Sequence, residues 1–324
     1  MSEMSYLEAI RAGMREEMQL NKDVIILGED VGAYGGAFKV TQGLLEEFGE
    51  MRVIDTPLSE AGIVGVAIGA ALMGMRPIAE MQFADFMQAA FDIIINYAAK
   101  AHYLWGVKIP LVVRAPSGGG VHGGPFHSQN PEAFYFHAPG LKIVFPSTAY
   151  DAKGLIKSAI RDDNPVIYFE HKYLYRRVKD EIPDEDYIVP IGKGKVLREG
   201  KDATIITYGM MVYTAIEAAK ELSNKNIEIE IIDLRSLLPL DEDLIYQSVK
   251  KTNKVLILHE ANKRGGVGAE ISALITENIF DYLDAPIMRV AAIDTPVPFA
   301  SSLENKYLPD RTKVVDALMK LIRY

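Results

Sequence analysis

Residues 52–81 read RVIDTPLSEAGIVGVAIGAALMGMRPIAEM, and this stretch decides the fold. Arg52–Asp55 is a short β-rich run, Ala61–Met73 a helical stretch without an internal charge, and Pro77–Met81 a second β-rich run. A strand, a helix and another strand in that order mark a βα unit of a mostly parallel sheet covered by helices. The alternation continues on both sides. Val24–Leu27, Leu111–Arg114, Lys142–Phe145 and Val166–Glu170 read as strands, and Thr41–Phe48, Ala84–Tyr103 and Ala149–Ile160 as amphipathic helices. From about Arg176 to Asp202 charges, prolines and glycines replace the pattern, which then restarts. Thr204–Tyr208, Glu228–Ile232, Lys254–His259 and Pro286–Val290 read as strands, with helices near Tyr213–Leu222, Asp241–Lys250, Ala269–Phe280 and Lys313–Ile322. We therefore expect an α/β protein of two domains, 1–180 and 203–324, with a linker at 181–202.

Composition narrows the function. The chain has 324 residues, 49% hydrophobic and 24% charged, enough to bury two cores. A formal net charge of -9 without a basic cluster argues against a nucleic-acid partner. There is no cysteine, which excludes disulfides, thiolate nucleophiles and cysteine-ligated metals. The most apolar segment, Ala61–Met75, lies between Glu60 and Arg76 and falls short of the roughly 20 residues a membrane helix needs, so it reads as a buried helix. The first twenty residues lack a secretory pattern, and the expected location is cytoplasmic, away from any membrane.

Two places could carry chemistry. Asp55-Thr56-Pro57-Leu58-Ser59-Glu60 ends a strand and opens a helix, which puts Glu60 in the first turn. A first-turn acid is also what the helix dipole alone favours. Here the helix that follows carries Gly62, Gly65 and Gly69 among alanines, a surface suited to close packing or to another subunit. The second place is the glycine-rich run Arg114–Gln129 with His122 and His127, either a surface connector or a ligand loop at a strand end. His102 and His137 sit in apolar or aromatic company and read as packing residues. Gly265-Gly266-Val267-Gly268 lacks the spacing of a dinucleotide loop, and no P-loop, nucleophile elbow, zinc-helix or EF-hand motif is present.

Several stretches, in order, resemble the beta subunits of pyruvate and branched-chain 2-oxo acid dehydrogenases, within the transketolase-like superfamily. They are Leu27-Gly28-Glu29-Asp30-Val31-Gly32, Thr56–Glu60, Arg76–Phe86, His127-Ser128-Gln129, Pro139–Lys142, Tyr150–Leu155, Ile232–Arg235 and Asp294-Thr295-Pro296. The resemblance implies a pyrimidine-binding domain followed by a transketolase C-terminal-like domain. It implies that Glu60 hydrogen-bonds the aminopyrimidine of thiamine diphosphate and promotes its imino tautomer, with Leu58, Gln82 and Phe86 nearby. His127 matches a histidine that handles protons when the acyl group passes to lipoamide. Leu111, Ala159, Ile160, Asp162 and Asn164 match a structural potassium site, for which oxygen ligands are suited. The chain has no GDG motif. In the two-chain members of the family that motif holds magnesium and diphosphate on the alpha subunit, so the cofactor would be shared.

The resemblance further implies a heterotetramer of two alpha and two beta subunits, serving a lipoyl acyltransferase core. Phe86 and His127-Ser128-Gln129 depart from some members, which leaves the substrate open with a lean to branched-chain over pyruvate. Two rivals stand beside this reading. One is a subunit of a split transketolase-type enzyme that makes carbon–carbon bonds. The other is a nucleotide-binding electron-transfer or regulatory subunit built on the Gly265 loop.

Overall fold

A computed structural model describes the whole chain, Met1–Tyr324, which divides into two units. Unit 1 comprises Met1–Ser117 and Phe134–Ile191, and unit 2 comprises Gly118–Ala133 and Gly192–Tyr324.

In unit 1 the strands Lys142–Val144, Val166–His171, Val112–Ser117, Arg76–Glu80, Val24–Gly28 and Val53–Asp55 lie side by side in that order, all parallel. They are rich in Val and Ile and largely buried, as a parallel sheet under helices requires. The helix Tyr6–Leu20 starts at Ser5, whose side chain accepts from the Glu8 amide while the Glu8 carboxylate accepts from the Ser5 amide. It packs on the helix Ala149–Arg161, and a Cβ on Gly13 would come within 2.5 Å of the Ile156 side chain, so glycine sets the approach. An antiparallel pair, Ser2–Ser5 with Lys179–Ile182, completes this unit.

Unit 2 holds a 5-stranded sheet in the order Met288–Ala292, Val255–Asn262, Ala203–Thr207, Ile229–Asp233 and Lys195–Arg198, the last antiparallel. The helices Met211–Ser223 and Arg311–Ile322 bury their alanine, leucine and valine faces against it.

Four expectations are corrected. Segment 181–202 contains the strand Lys195–Arg198, whose charges stand at a sheet edge, open to water in part. The helix expected over Thr41–Phe48 begins only at Leu44, because Gly43 has φ 85°. Ala84–Tyr103 is a 3-10 segment Ala84–Ala90, a π-helix Ile93–Ala98 and a short α-helix Ala101–Trp105. Three consecutive isoleucines, Ile93–Ile95, crowd the preceding turn and disfavour regular helix there. The helix Glu60–Leu72, read as buried, has one open face: Val66 is 65% exposed and Met73, just beyond the helix, 85%.

Candidate active site

Ligand sites in open parallel sheets form outside the carboxyl ends of the strands. In unit 1 three neighbouring strands end together at Gly28, Asp55 and Glu80. Gly28 admits this approach, since a Cβ there would lie 2.8 Å from the Glu80 carbonyl oxygen. The chain turns through Glu29 and Asp30, the latter at φ 58°, and the Gly32 amide donates to Asp55 Oδ1 at 2.6 Å. This turn buries the Glu29 side chain, whose two carboxyl oxygens meet no hydrogen-bond donor. Burial first, then the charge of Glu60, raise its pKa, and the nearby Ser59 amide opposes the rise without a bond of normal geometry.

Glu60 is the first residue of its helix and is half-buried. Ser59 is the N-cap but makes no side-chain cap bond. Gln82 follows the third strand end and donates to Asp30 Oδ2 at 3.3 Å. Phe86 meets Phe83 edge-on at 5.5 Å, and Phe83 meets Phe38 at 5.4 Å. Leu58 is 81% exposed. The arrangement brings the buried Glu29 carboxyl within electrostatic reach of Glu60 at these strand ends, and carboxyl and amide side chains such as Glu60 and Gln82 suit hydrogen bonding to an aminopyrimidine. Glu29 was not singled out from sequence. Its signal was the Gly28–Gly32 turn at a strand end.

The five residues matched to potassium also lie in unit 1. The carbonyls of Ile160 and Asp162 converge on Arg76 Nη1, at 2.9 and 3.0 Å. The Leu111 carbonyl accepts from the Val166 amide and that of Ala159 from the Asp162 amide. Burial works against the Asp162 carboxylate, yet hydrogen bonds from Lys142 and Asn164 hold its pKa below the usual range. The carbonyl oxygens of Leu111, Ala159, Ile160 and Asp162 thus each accept a hydrogen bond, the last two from a guanidinium. No group of three or more His, Asp or Glu side chains is placed to hold a metal ion.

The glycine-rich loop belongs to unit 2. His127 follows a 3-10 turn at Gly124–Phe126 and is half-buried. Gly124 has φ 68°, and a Cβ there would meet the Phe299 ring at 2.3 Å, so the loop is seated on the C-terminal segment. Its far end carries Glu132, fully buried, which accepts from the Tyr208 hydroxyl at 2.7 Å; burial pushes its carboxyl up to about 7, against the pull of that bond. His102 and His137, expected to pack, are exposed, as are the neighbouring Tyr103 and Trp105. The buried histidines are His171 and His259. Gly266 and Gly268 make room for the latter: a Cβ on either would stand 2.7 Å from the His259 ring. That packing gives Gly266 and Gly268 a structural role.

Residues 2–178 match the pyrimidine binding domain of transketolase and 192–314 its C-terminal domain. The chain is 51% identical over its whole length to the whole of the 2-oxoisovalerate dehydrogenase subunit beta of Bacillus subtilis. It is 49% identical, over 98% of both chains, to the pyruvate dehydrogenase E1 component subunit beta of Rickettsia felis. This chain belongs to the beta subunits of 2-oxo acid dehydrogenase E1 components. The family is one of thiamine-diphosphate-dependent enzymes. Among solved structures, a chain described as a split gene transketolase, inactive beta4 tetramer, superposes with a TM-score of 0.81 at 26% identity, covering 99% of this chain and 98% of its own. The E1 beta relatives share nearly twice that identity, which places the chain with the dehydrogenases. No helix is long and apolar enough to cross a membrane.

Proposed function

We propose that this E1 beta chain, with an alpha subunit, decarboxylates a 2-oxo acid on thiamine diphosphate and passes the acyl group to lipoamide of an acyltransferase core. The observation that carries the reading is the buried Glu29 carboxyl, within electrostatic reach of Glu60, at the carboxyl edge of the unit 1 sheet. When bound, the cofactor supplies the electron sink for decarboxylation. Glu60 would bind the aminopyrimidine and hold the exchangeable proton, with Leu58, Gln82 and Phe86 lining the ring. The burial of Glu29 raises its pKa and favours its protonated form. His127 is assigned to proton handling in acyl transfer. Magnesium and diphosphate are assigned to the alpha subunit, potassium to the turn of Ala159–Asn164 with Leu111, and the chain itself to the cytoplasm.

The open apolar face of the Glu60–Leu72 helix supports an assembly of two alpha and two beta subunits, since a patch of this kind marks a protein interface. Branched-chain substrates are favoured over pyruvate, in keeping with the greater identity to the 2-oxoisovalerate enzyme. The test is co-expression with a candidate alpha chain and dye-linked assay on pyruvate and on branched 2-oxo acids. Turnover on either class requires both chains if the reading holds. A magnesium-dependent, micromolar affinity of the lone chain for thiamine diphosphate would sink the shared site. His127→Ala should slow lipoyl acylation more than decarboxylation.

A further inference from the structure

The loop that carries His122 and His127 is tied down by carboxylates distant in sequence. Glu260 Oε1 accepts from the Gly119 amide at 2.6 Å and from Asn130 Nδ2 at 2.9 Å. Glu304, on the short helix Ser301–Tyr307, is fully buried; its Oε1 accepts from the Gly120 amide at 3.0 Å and its Oε2 meets His122 Nδ1 at 2.5 Å. A Cβ on Gly119 would crowd both Glu304 and Leu308. His122 itself has φ 60°, a conformation most residues avoid, and its side chain is 49% exposed although the Glu304 it meets is fully buried. An ionised carboxylate is acceptor-only, so in a neutral imidazole facing it the adjacent ring nitrogen carries the proton. The other ring nitrogen, Nε2, is then the acceptor.

We propose that Glu304 is a positioning residue: it anchors the glycine loop at Gly120 and fixes the His122 tautomer, so that Nε2 is presented as a hydrogen-bond acceptor to the incoming acyl acceptor. The proposal rests on the function given above for its kinetic part and on geometry alone for its structural part. A carboxylate that orients a histidine without touching substrate is a recurring device, because the wrong tautomer cannot accept a proton where one is offered.

The test uses the full chain and its complex with an alpha subunit. Ring-nitrogen shifts of ¹⁵N-histidine-labelled chain at pH 8, assigned by comparison with His122→Asn, report the tautomer directly. In the native chain His122 is expected as the Nδ1–H form. Glu304→Gln keeps an acceptor for Gly120 but removes the acceptor-only constraint, and a population of Nε2–H His122 should appear. In the complex, Glu304→Gln and His122→Asn should each depress acylation of a lipoyl domain about 10- to 100-fold more than dye-linked decarboxylation, the scale of a misplaced catalytic group. The double variant should lose no more than either single one, since both act through one contact. An unchanged tautomer in Glu304→Gln, equal loss in both half-reactions, or additive losses would each overturn the proposal. His122→Asn alters a half-exposed side chain and serves if Glu304→Gln does not fold. A native complex with no 2-oxo-acid-dependent dye reduction would refute the proposed function instead, while the tautomer measurement would still decide the role of Glu304.

Discussion

Replacing Glu132 with glutamine exchanges one atom of a fully buried side chain and should remove a slope of stability against pH. Burial lifts the Glu132 carboxyl from 4.5 to about 7, with Tyr208 pulling the other way. The folded chain therefore keeps a proton that the unfolded chain loses above about pH 4.5. Stability present below that pH declines as pH rises to about 7, then levels off. A gap of about 2.5 units at 1.36 kcal/mol each puts the full decline at about 3 kcal/mol. The replacement amide cannot ionise and still offers an oxygen to the Tyr208 hydroxyl. His259, buried and pushed down to about 4, imposes the opposite slope, costing stability as pH falls from about 6.5. That slope is common to both proteins and cancels in the difference. Thermal melts of native and Glu132→Gln chains from pH 4.5 to 8 should diverge, with the variant gaining about 5 °C relative to native by pH 8. Curves that stay parallel over this range would show that Glu132 is ionised in the fold and that its burial has been compensated.

Glu60→Gln, in complex with an alpha subunit, should retain cofactor binding but lose about 10²- to 10⁴-fold in turnover, with cofactor C2 hydrogen exchange slowing in parallel. A variant that melts earlier yet exchanges at the native rate would return Glu60 to a mere dipole-complementing role. Glu29→Gln removes a carboxyl whose raised pKa makes stability decline as pH rises, so its melting temperature should gain on the native chain at higher pH; parallel curves would show that Glu29 ionises as freely in the fold as in the unfolded chain. Arg76→Met frees the carbonyls of Ile160 and Asp162, and the gap in melting temperature between potassium and sodium buffers should widen; identical curves would leave no role for potassium there. Gly124→Ala meets both a positive φ and the Phe299 ring, and should cost more than about 1 kcal/mol, partly recovered by Phe299→Leu; no recovery at all in the double variant would disprove the seating of the loop.

The inner strands of both sheets were legible because a doubly covered parallel sheet demands unbroken Val/Ile runs, and Val24–Gly28 or Ile229–Asp233 can be read as little else. Edge strands obey the opposite rule. Lys195–Arg198, Ser2–Ser5 and Lys179–Ile182 carry charges and polar residues because one side meets water, and in a linear reading they merge with linker or terminus. The same asymmetry governs the candidate site. Glu60 announces itself by standing at a strand-to-helix turn, a local feature. Glu29 does not, because nothing within the LGEDVG segment says that its side chain will be buried without a hydrogen bond of normal geometry; that depends on the tertiary surroundings of the turn.

The glycine loop shows the limit most sharply. Its bends are written in its own residues, but what holds it is not: Glu260 and Glu304 lie 141 and 184 residues beyond the amides they accept from. Neither is distinguishable in sequence from a surface acid. A loop that its composition would make a mobile connector is therefore anchored by carboxylates from the far end of the chain. His122 and His127 are thus set in place by the C-terminal segment, and not only by the peptide link to the strand before them. It also means that a substitution at residue 304 can alter the setting of His122 from 182 residues away.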